Sequence, residues 1–415
     1  MGCVQSLSAG RRRSRRADGA DGAKKRAPLP PQLSLPPHGK SLEREKAITA
    51  RAMGRSSVEY RHQQQHHGQD DAGASPEADL PINWNLRFKD LVILEHIANG
   101  GYCTVLACML NGQKRAVKIP LANCSDPEGA VADLTNEIRI LKRLRHPHLC
   151  SVYGAGGWRT EGELPFLVLE RLQYQNLAQQ CGTEADDTSM RAQLKQRKLR
   201  AKFPFRRRLG YGLQLADLLR YLHRGSIRAG FVVHRDLKPS NIGVSDDGVL
   251  KVFDFGLARV REQRDPLTDR YVMTGQTGSQ RFMAPEVFDG MPYNEKADMY
   301  SYGIVLWELC TLRKPFAGMS SHEHARKVFR HGMRPALDSR WPEELKRLLQ
   351  SCWHAEPEMR PEASQAVEIL ARIIEKMDAG GFCGGTATAS ASSAGSSAPT
   401  SSSRAPSDSL YGIGT

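Results

Sequence analysis

The stretch HRDLKPSN, His234 to Asn241, and the DFG that follows at Asp254 to Gly256 set an aspartate, an asparagine and a second aspartate in an order that suits phosphoryl transfer to a hydroxyl. Such a transfer needs a base to accept the proton and two side-chain oxygens to hold magnesium against nucleotide phosphates. Asp236 has the place of the base, and Asn241 and Asp254 those of the metal ligands. A lone aspartate is usually a solvated surface group. Two motifs of this length in this order are not accounted for by ordinary loops.

With RAVK at Lys118, APE at Ala284 to Glu286 and CWHAEPEMRP at Cys352 to Pro361, these motifs make the chain resemble a eukaryotic protein kinase from about Phe88 to Lys376. SYGIVLWEL and the CWxxxPxxRP pattern resemble the tyrosine-kinase-like group, for which the expected activity is serine/threonine phosphorylation in intracellular signalling. The resemblance implies ATP and Mg2+ as cofactors and protein substrates as partners. It implies that Lys238 stabilises charge on the transferred group and, being lysine, points to a serine or threonine acceptor. Arg235 before Asp236 implies switching by phosphorylation between Asp254 and APE, because a guanidinium can pair with a new phosphate. The acceptors there are Thr268, Tyr271, Thr274, Thr277 and Ser279, with Thr274 or Thr277 preferred and Ser279 read as structural. Asp298 and Arg360 match scaffold positions, Arg360 as the partner of Glu286 in a buried ion pair.

The nucleotide side is read from position as much as from motif. IANGGYCTV, Ile97 to Val105, occupies the place of a glycine-rich loop, where missing Cβ atoms let backbone N–H groups approach phosphate. Ala98 and Cys103 stand where the family pattern has glycine; Gly100 aligns and Gly101 lies beside it. Ile97, Ala98, Gly100, Gly101 and Val105 are the expected cofactor contacts of this loop. Lys118 resembles the lysine that contacts the α and β phosphates, and Glu137 its ion-pair partner. Leu169 would guard the back of an adenine pocket, with Glu170 to Leu172 as the hinge between lobes.

The elements that must position these residues follow from patterning. FKDLVILEHI, CTVLACML and RAVKIP are short β-rich runs separated by NGG and NGQ, as in an antiparallel meander. Asp126 and Pro127 form an N-cap and a first-turn proline; Val131, Leu134, Ile138 and Leu141 then recur on one helical face, with Glu137 beside it. From Leu209 helical patterns dominate: LGYGLQLADLLRYLH, ADMYSYGIVLWELCTL, PEELKRLLQSCW and ASQAVEILARIIEKM. The expected fold is α+β and two-lobed, a small β-rich N-lobe and a large helical C-lobe. The longest apolar run, Ile304 to Leu312, is far short of the ~20 residues of a membrane span and reads as a buried helix.

Composition divides the 415 residues into a basic N-terminal region at 1–85, a kinase-like domain at 86–376 and a Ser/Gly/Ala-rich tail at 377–415, both ends expected to be disordered. Nine cysteines without a CxxC pair fit a reducing compartment rather than a disulfide or zinc framework. The net charge of +14 is concentrated in two segments. Residues 1–70 hold 14 Lys/Arg against 6 Asp/Glu, and residues 191–208 hold 9 basic residues and no acid. The body is near neutral, so no nucleic-acid partner is expected. The 191–208 run looks like an insertion, either a solvated helix face, the default, or a docking surface for acidic partners or anionic lipid.

MGCVQS at the start matches a myristoylation pattern on Gly2, with Cys3 open to palmitoylation. RRRSRR, Arg11 to Arg16, would supply the second signal that persistent attachment to an anionic membrane requires. The expected location is the cytoplasmic face of a membrane; a chance glycine and a nuclear import signal are the alternatives, leaving the cytosol or nucleus. Two other functions compete with the kinase: a catalytically weak, membrane-attached scaffold, suggested by Ala98 and Cys103, and a small-molecule phosphotransferase.

Overall fold

The computed structural model describes residues 82–159, 162–172, 176–185, 189–190, 198–224, 226, 230–261 and 270–380. Gly2, Cys3, the RRRSRR run, Thr268, residues 191–197 and the tail beyond 380 lie outside them.

The N-lobe is a five-stranded antiparallel sheet. Its strands are β1 (Val92–Asn99), β2 (Cys103–Leu110), β3 (Gln113–Pro120), β4 (Val152–Gly156) and β5 (Phe166–Leu169), in the order β1-β2-β3-β5-β4. The meander expected from sequence is β1 to β3, but Phe88–Asp90 is a 3-10 turn. There Asp90 accepts from the Arg87 backbone at 3.3 Å and from its guanidinium at 3.1 and 3.2 Å, which closes the turn and delays the strand to Val92.

Helix α1 (Pro127–Leu141) starts at Asp126, whose carboxylate accepts from Gly129 N at 2.9 Å. That contact satisfies one of the free N–H groups of the first turn. Leu134 and Ile138 are buried, each contributing roughly 1.5–3 kcal/mol, and Glu137 is buried beside them at 0 % exposure.

The C-lobe is helical, as patterning implied, and the two-lobed α+β expectation holds. After the short α2 (Leu177–Cys181) come α3 (Phe205–Arg224) and two small hairpin sheets, β6 (Phe231–Val233) with β9 (Arg259–Arg261) and β7 (Ile242–Val244) with β8 (Leu250–Val252). Then follow α4 (Pro285–Phe288), α5 (Lys296–Thr311), α6 (Ser321–His324), α7 (Glu343–Cys352) and α8 (Ala363–Asp378). Helix α5 is buried from Ala297 to Cys310, and α3, α7 and α8 pack around this core. It contains most of the Ile304 to Leu312 run. Among the described residues no helix is long and apolar enough to cross a membrane.

The described part of the basic run, 198–208, is not simply a solvated face. Helix α3 begins at Phe205, so Arg206 to Arg208 belong to it. Arg208 is 6 % exposed and donates to Leu309 O at 3.1 Å and Cys310 O at 2.5 Å. Arg200 donates to Thr311 O at 3.2 Å. Both arginines therefore satisfy carbonyls left open at the C-terminal end of α5, where the helix dipole favours a cation. Arg206 holds Asp378 at 2.5 and 2.7 Å.

Two boundaries drawn from composition also shift. Asn83 to Leu86 pair with β4, and Met377 and Asp378 complete α8, so the folded unit reaches beyond 86–376 at both ends. The reason is local: NWN and MD have no periodicity of their own and are ordered by partners distant in sequence.

Candidate active site

Lys118 lies in β3 with Val105 opposite it on β2. Its ammonium is 2.6 Å from Glu137 Oε2 and 2.9 Å from Asp254 Oδ1. The other Glu137 oxygen accepts from Phe255 N at 3.0 Å, so α1 is tied both to the sheet and to the DFG segment. Burial works against the charge on Lys118, but Asp254 and Glu137 outweigh it and push its pKa up. Lys118 in turn holds the Asp254 carboxyl down at about 2. Asp254 has φ 71°, in the left-handed region that aspartate tolerates at some cost.

Asp236 sits between segments. Lys238 Nζ donates to its Oδ2 at 2.7 Å, Asn241 Nδ2 to the same oxygen at 3.1 Å, and Ser279 N to its Oδ1 at 2.9 Å. Lys238 also donates to Ser279 Oγ at 2.8 Å. Ser279 thus joins the loop before APE to the HRDLKPSN loop, in keeping with a structural role.

That loop is strained and braced. Arg235 has φ 73°, and Asp298 beneath it accepts from His234 N at 2.8 Å, Arg235 N at 2.9 Å and His223 Nε2 at 3.1 Å. Burial opposes the Asp298 charge, but the His223 hydrogen bond and neighbouring groups outweigh it and its pKa falls. The His234 ring packs edge-on against Phe255, centroids 4.7 Å apart, and burial pushes its pKa down. Arg360 lies bidentate on Glu286 at 2.6 and 2.8 Å. Its remaining donors go to the carbonyls of His354, Lys296 and Ala355.

The Ile97–Val105 segment is a hairpin in which Ala98 pairs with Val105, and Gly100 N donates to Cys103 O at 2.7 Å. A Cβ on Gly101 would meet nothing within 4 Å, so Gly101 leaves its backbone open. Ile97 is 42 % exposed. The Cys103 thiol, at the start of β2, is pushed up to about 11 by burial. Leu169 is buried at the end of β5. Glu170 accepts from Ser151 N at 3.2 Å and pairs with Lys251 at 3.4 Å, so its carboxylate links β8 of the C-lobe to the sheet; its N–H donates to Ser151 O at 2.8 Å, and its carbonyl, which accepts from the Cys150 thiol at 3.7 Å, keeps a second lone pair.

Two residues of this region carry no sequence motif. Asn136 donates to Gly256 O at 2.9 Å and Ala258 O at 3.1 Å, a second tie from α1 to the DFG segment. Gly243 in β7 faces the hinge: a Cβ there would lie 2.4 Å from Leu172 Cδ1 and 3.4 Å from Phe253 Cε1. A glycine inside a strand just after Asn241 is the signal that could have marked this close approach.

Beside Lys238 and Ser279 opens a cavity of about 480 Å³, lined also by Arg281, Glu308, Lys314 and His324. Among the described residues, Glu308 Oε2 and both ring nitrogens of His324 are buried without a hydrogen-bond partner, while Glu308 Oε1 accepts from Thr183 Oγ1.

The donor set fits one magnesium held with a nucleotide. Asn241 spends its amide nitrogen on Asp236, which leaves the oxygen for a cation, and the Asp254 side chain is 41 % exposed. Among the described residues no group of three or more His, Cys, Asp or Glu could hold a metal by itself. Magnesium usually takes one or two protein ligands and completes its shell with phosphate and water.

The match to known proteins covers the same unit. Serine/threonine-protein kinase STY17 of Arabidopsis thaliana is 30% identical over 294 residues, 71% of this chain and 46% of that protein. Serine/threonine-protein kinase VIK of the same plant is 31% identical over 68% of this chain and 59% of its own length. The probable serine/threonine-protein kinase drkD of Dictyostelium discoideum is 33% identical over 72% of this chain and 21% of its own. The chain thus spans less than two thirds of these curated relatives. Residues 91–370 match the family described as protein tyrosine and serine/threonine kinase, and the chain belongs to that family.

Proposed function

We propose that the chain is an ATP- and magnesium-dependent protein serine/threonine kinase. The observation that carries this reading is the closed set of contacts among Asp236, Lys238 and Ser279, which fixes a base and a cation against the loop before APE. The adjoining cavity is large enough for protein side chains, and three relatives bear serine/threonine-kinase names.

In this reading Lys118, held charged by two carboxylates, binds the α and β phosphate oxygens as a point charge. Glu137 keeps it aimed. Asn241 and Asp254 hold the magnesium, which neutralises charge on the phosphates when bound. Asp236 orients the acceptor hydroxyl and takes its proton as the hydroxyl oxygen bonds to the γ-phosphorus and the bond from that phosphorus to the β–γ bridging oxygen breaks, releasing ADP. Lys238 donates to the transferred group and offsets its charge. Ile97, Ala98, Gly100, Gly101 and Val105 cover the nucleotide, and the Glu170 main chain borders the base.

The test is transfer of labelled phosphate from ATP to generic protein substrates. Wild type is expected to transfer it, and Asp254→Asn and Asp236→Asn to lose at least a hundredfold. If wild type and Asp254→Asn are equally inactive with ATP and magnesium, the kinase reading is wrong.

The N-terminal sequence supports a second, separate reading: Gly2 myristoylated, Cys3 open to palmitoylation, and RRRSRR against an anionic membrane. Pelleting with vesicles that contain phosphatidylserine should fall on Gly2→Ala after expression with a myristoyltransferase. Unchanged pelleting removes this reading.

A further inference from the structure

Asn83 to Leu86 run along the outer edge of β4. Asn83 forms a parallel bridge to Gly154, Leu86 N donates to Ala155 O at 3.0 Å, and Ala155 N donates to Asn83 O at 3.0 Å. Because β4 is an edge strand, this strap covers backbone groups that would otherwise lie open. The strand is shaped to receive it. A Cβ on Gly154 would lie 2.3 Å from Leu86 Cδ1, and one on Gly156 2.0 Å from Leu86 O. All of these strap residues precede the 91–370 stretch that the family shares.

The strap brings Trp84 to the end of α1. Trp158 Nε1 donates to Trp84 O at 3.0 Å, and the ammonium of Lys142 stands 5.6 Å from the ring centroids of both Trp84 and Trp158. Lys142 is the C-cap of α1, its N–H bonded to Ile138 O. Glu137 is on the same helix, little more than one turn earlier. The C-terminal end of α1 is therefore clamped to the sheet edge by a cation shared between two indoles. Its middle is held by the Lys118–Glu137 pair and by Asn136 on the DFG segment.

We propose that Trp84 is a positioning residue for nucleotide binding: acting through Lys142, it sets the placement of α1 and so the reach of Glu137 to Lys118. Attraction of a cation to two aromatic faces is enough to bias a helix between two placements by roughly threefold to tenfold. Simple packing of Trp84 on the sheet would instead stabilise the fold without changing how Lys118 meets phosphate. The proposal rests on the reading that Lys118 and Glu137 serve the nucleotide.

The test uses the full chain with Trp84→Ala, Trp84→Phe, Lys142→Met, Lys142→Arg and the Trp84→Ala/Lys142→Met double variant. A fluorescent ATP analogue with magnesium gives the affinity, phosphate transfer gives kcat and KM for ATP, and thermal melting gives Tm. Trp84→Ala and Lys142→Met should each weaken analogue binding about threefold to tenfold, and the double variant no further, because one interaction is removed only once. Trp84→Phe and Lys142→Arg should stay within about twofold, since both keep a cation over a ring. A lowered Tm with unchanged analogue affinity overturns the proposal, as do additive losses. If Trp84→Ala does not fold, Lys142→Met and Lys142→Arg decide it. Should wild type bind the analogue yet transfer no phosphate, the kinase reading fails, while the clamp is still judged on affinity.

Discussion

Arg235 donates through Nη2 to both the carbonyl oxygen and the hydroxyl of Thr274, the former at 3.1 Å. Among the described residues its Nε and Nη1 are buried without a hydrogen-bond partner, although the guanidinium lies over the Tyr293 ring. A phosphate on Thr274 would give these donors charged acceptors, each such bond worth about 1.5–3 kcal/mol. Thr277 is less available, because its hydroxyl already donates to Thr274 O at 3.0 Å or Gly275 O at 3.1 Å. Phosphatase treatment is therefore expected to lower phosphate transfer about tenfold in wild type and in Thr277→Ala, and to leave Thr274→Ala at its already low rate. Mass spectrometry should find the phosphate on Thr274; full activity of an unphosphorylated chain would sink the idea.

Removing the Lys118 charge should harm stability as well as activity. Lys118→Met leaves Glu137 buried and unpaired at 0 % exposure, a loss of about 3–5 kcal/mol. Thermal melting should show a lower Tm, and adding Glu137→Gln should restore much of it without restoring phosphate transfer. Recovery of both together would contradict the assigned roles.

Glu308 predicts a pH dependence with a definite sign. Burial raises its pKa from 4.5 to about 8. An acid raised in the folded state keeps its full stabilising effect below the unfolded pKa and loses it as pH rises through the folded one. The contribution of this group should thus fade between pH 4.5 and about 8, by on the order of 5 kcal/mol. Glu308→Gln should flatten the fall of Tm across that window. Asp254, held down at about 2, acts oppositely and loses its contribution only as the solution is acidified below 3.8.

Cys103 should alkylate slowly. With its thiol pushed up to about 11, only ~10⁻⁴ of it is thiolate at pH 7. Iodoacetamide labelling followed by mass spectrometry should show a rate that climbs about tenfold per pH unit up to pH 10. Fast labelling at neutral pH would show that the residue is not buried in this way.

The residues legible in the sequence were those whose charge and register are specified together. Lys118, Glu137 and Asp254 stand in different motifs, yet the fold brings them within one set of contacts. The helices of the C-lobe were legible from local pattern too, since α7 and α8 carry an apolar face in their own periodicity and α5 is apolar along most of its length, as a helix buried on all sides is. What escaped depends on pairs that no local pattern couples. Arg208 looked like one more charge in a basic run, because the carbonyls it satisfies end a helix about a hundred residues later. Gly243 matters only against Leu172, and Trp84 only against Lys142 and Trp158.

The Arg360–Glu286 pair has a consequence for synthesis. Its partners are 74 residues apart, and among the described residues nothing nearer in the chain offers Glu286 the same bidentate grip. At about 5–20 residues per second, a ribosome that has made Glu286 needs some 4–15 seconds more to reach Arg360. Until then the loop carrying APE lacks its Arg360 anchor and has only nearer contacts such as those of Ser279 with Asp236 and Lys238, although Asp236, Asn241 and Asp254 have already been made. A nascent chain would therefore hold its catalytic residues before it could present a protein substrate to them. On the proposed kinase reading, phosphate transfer to protein would wait until almost the whole folded unit has left the ribosome.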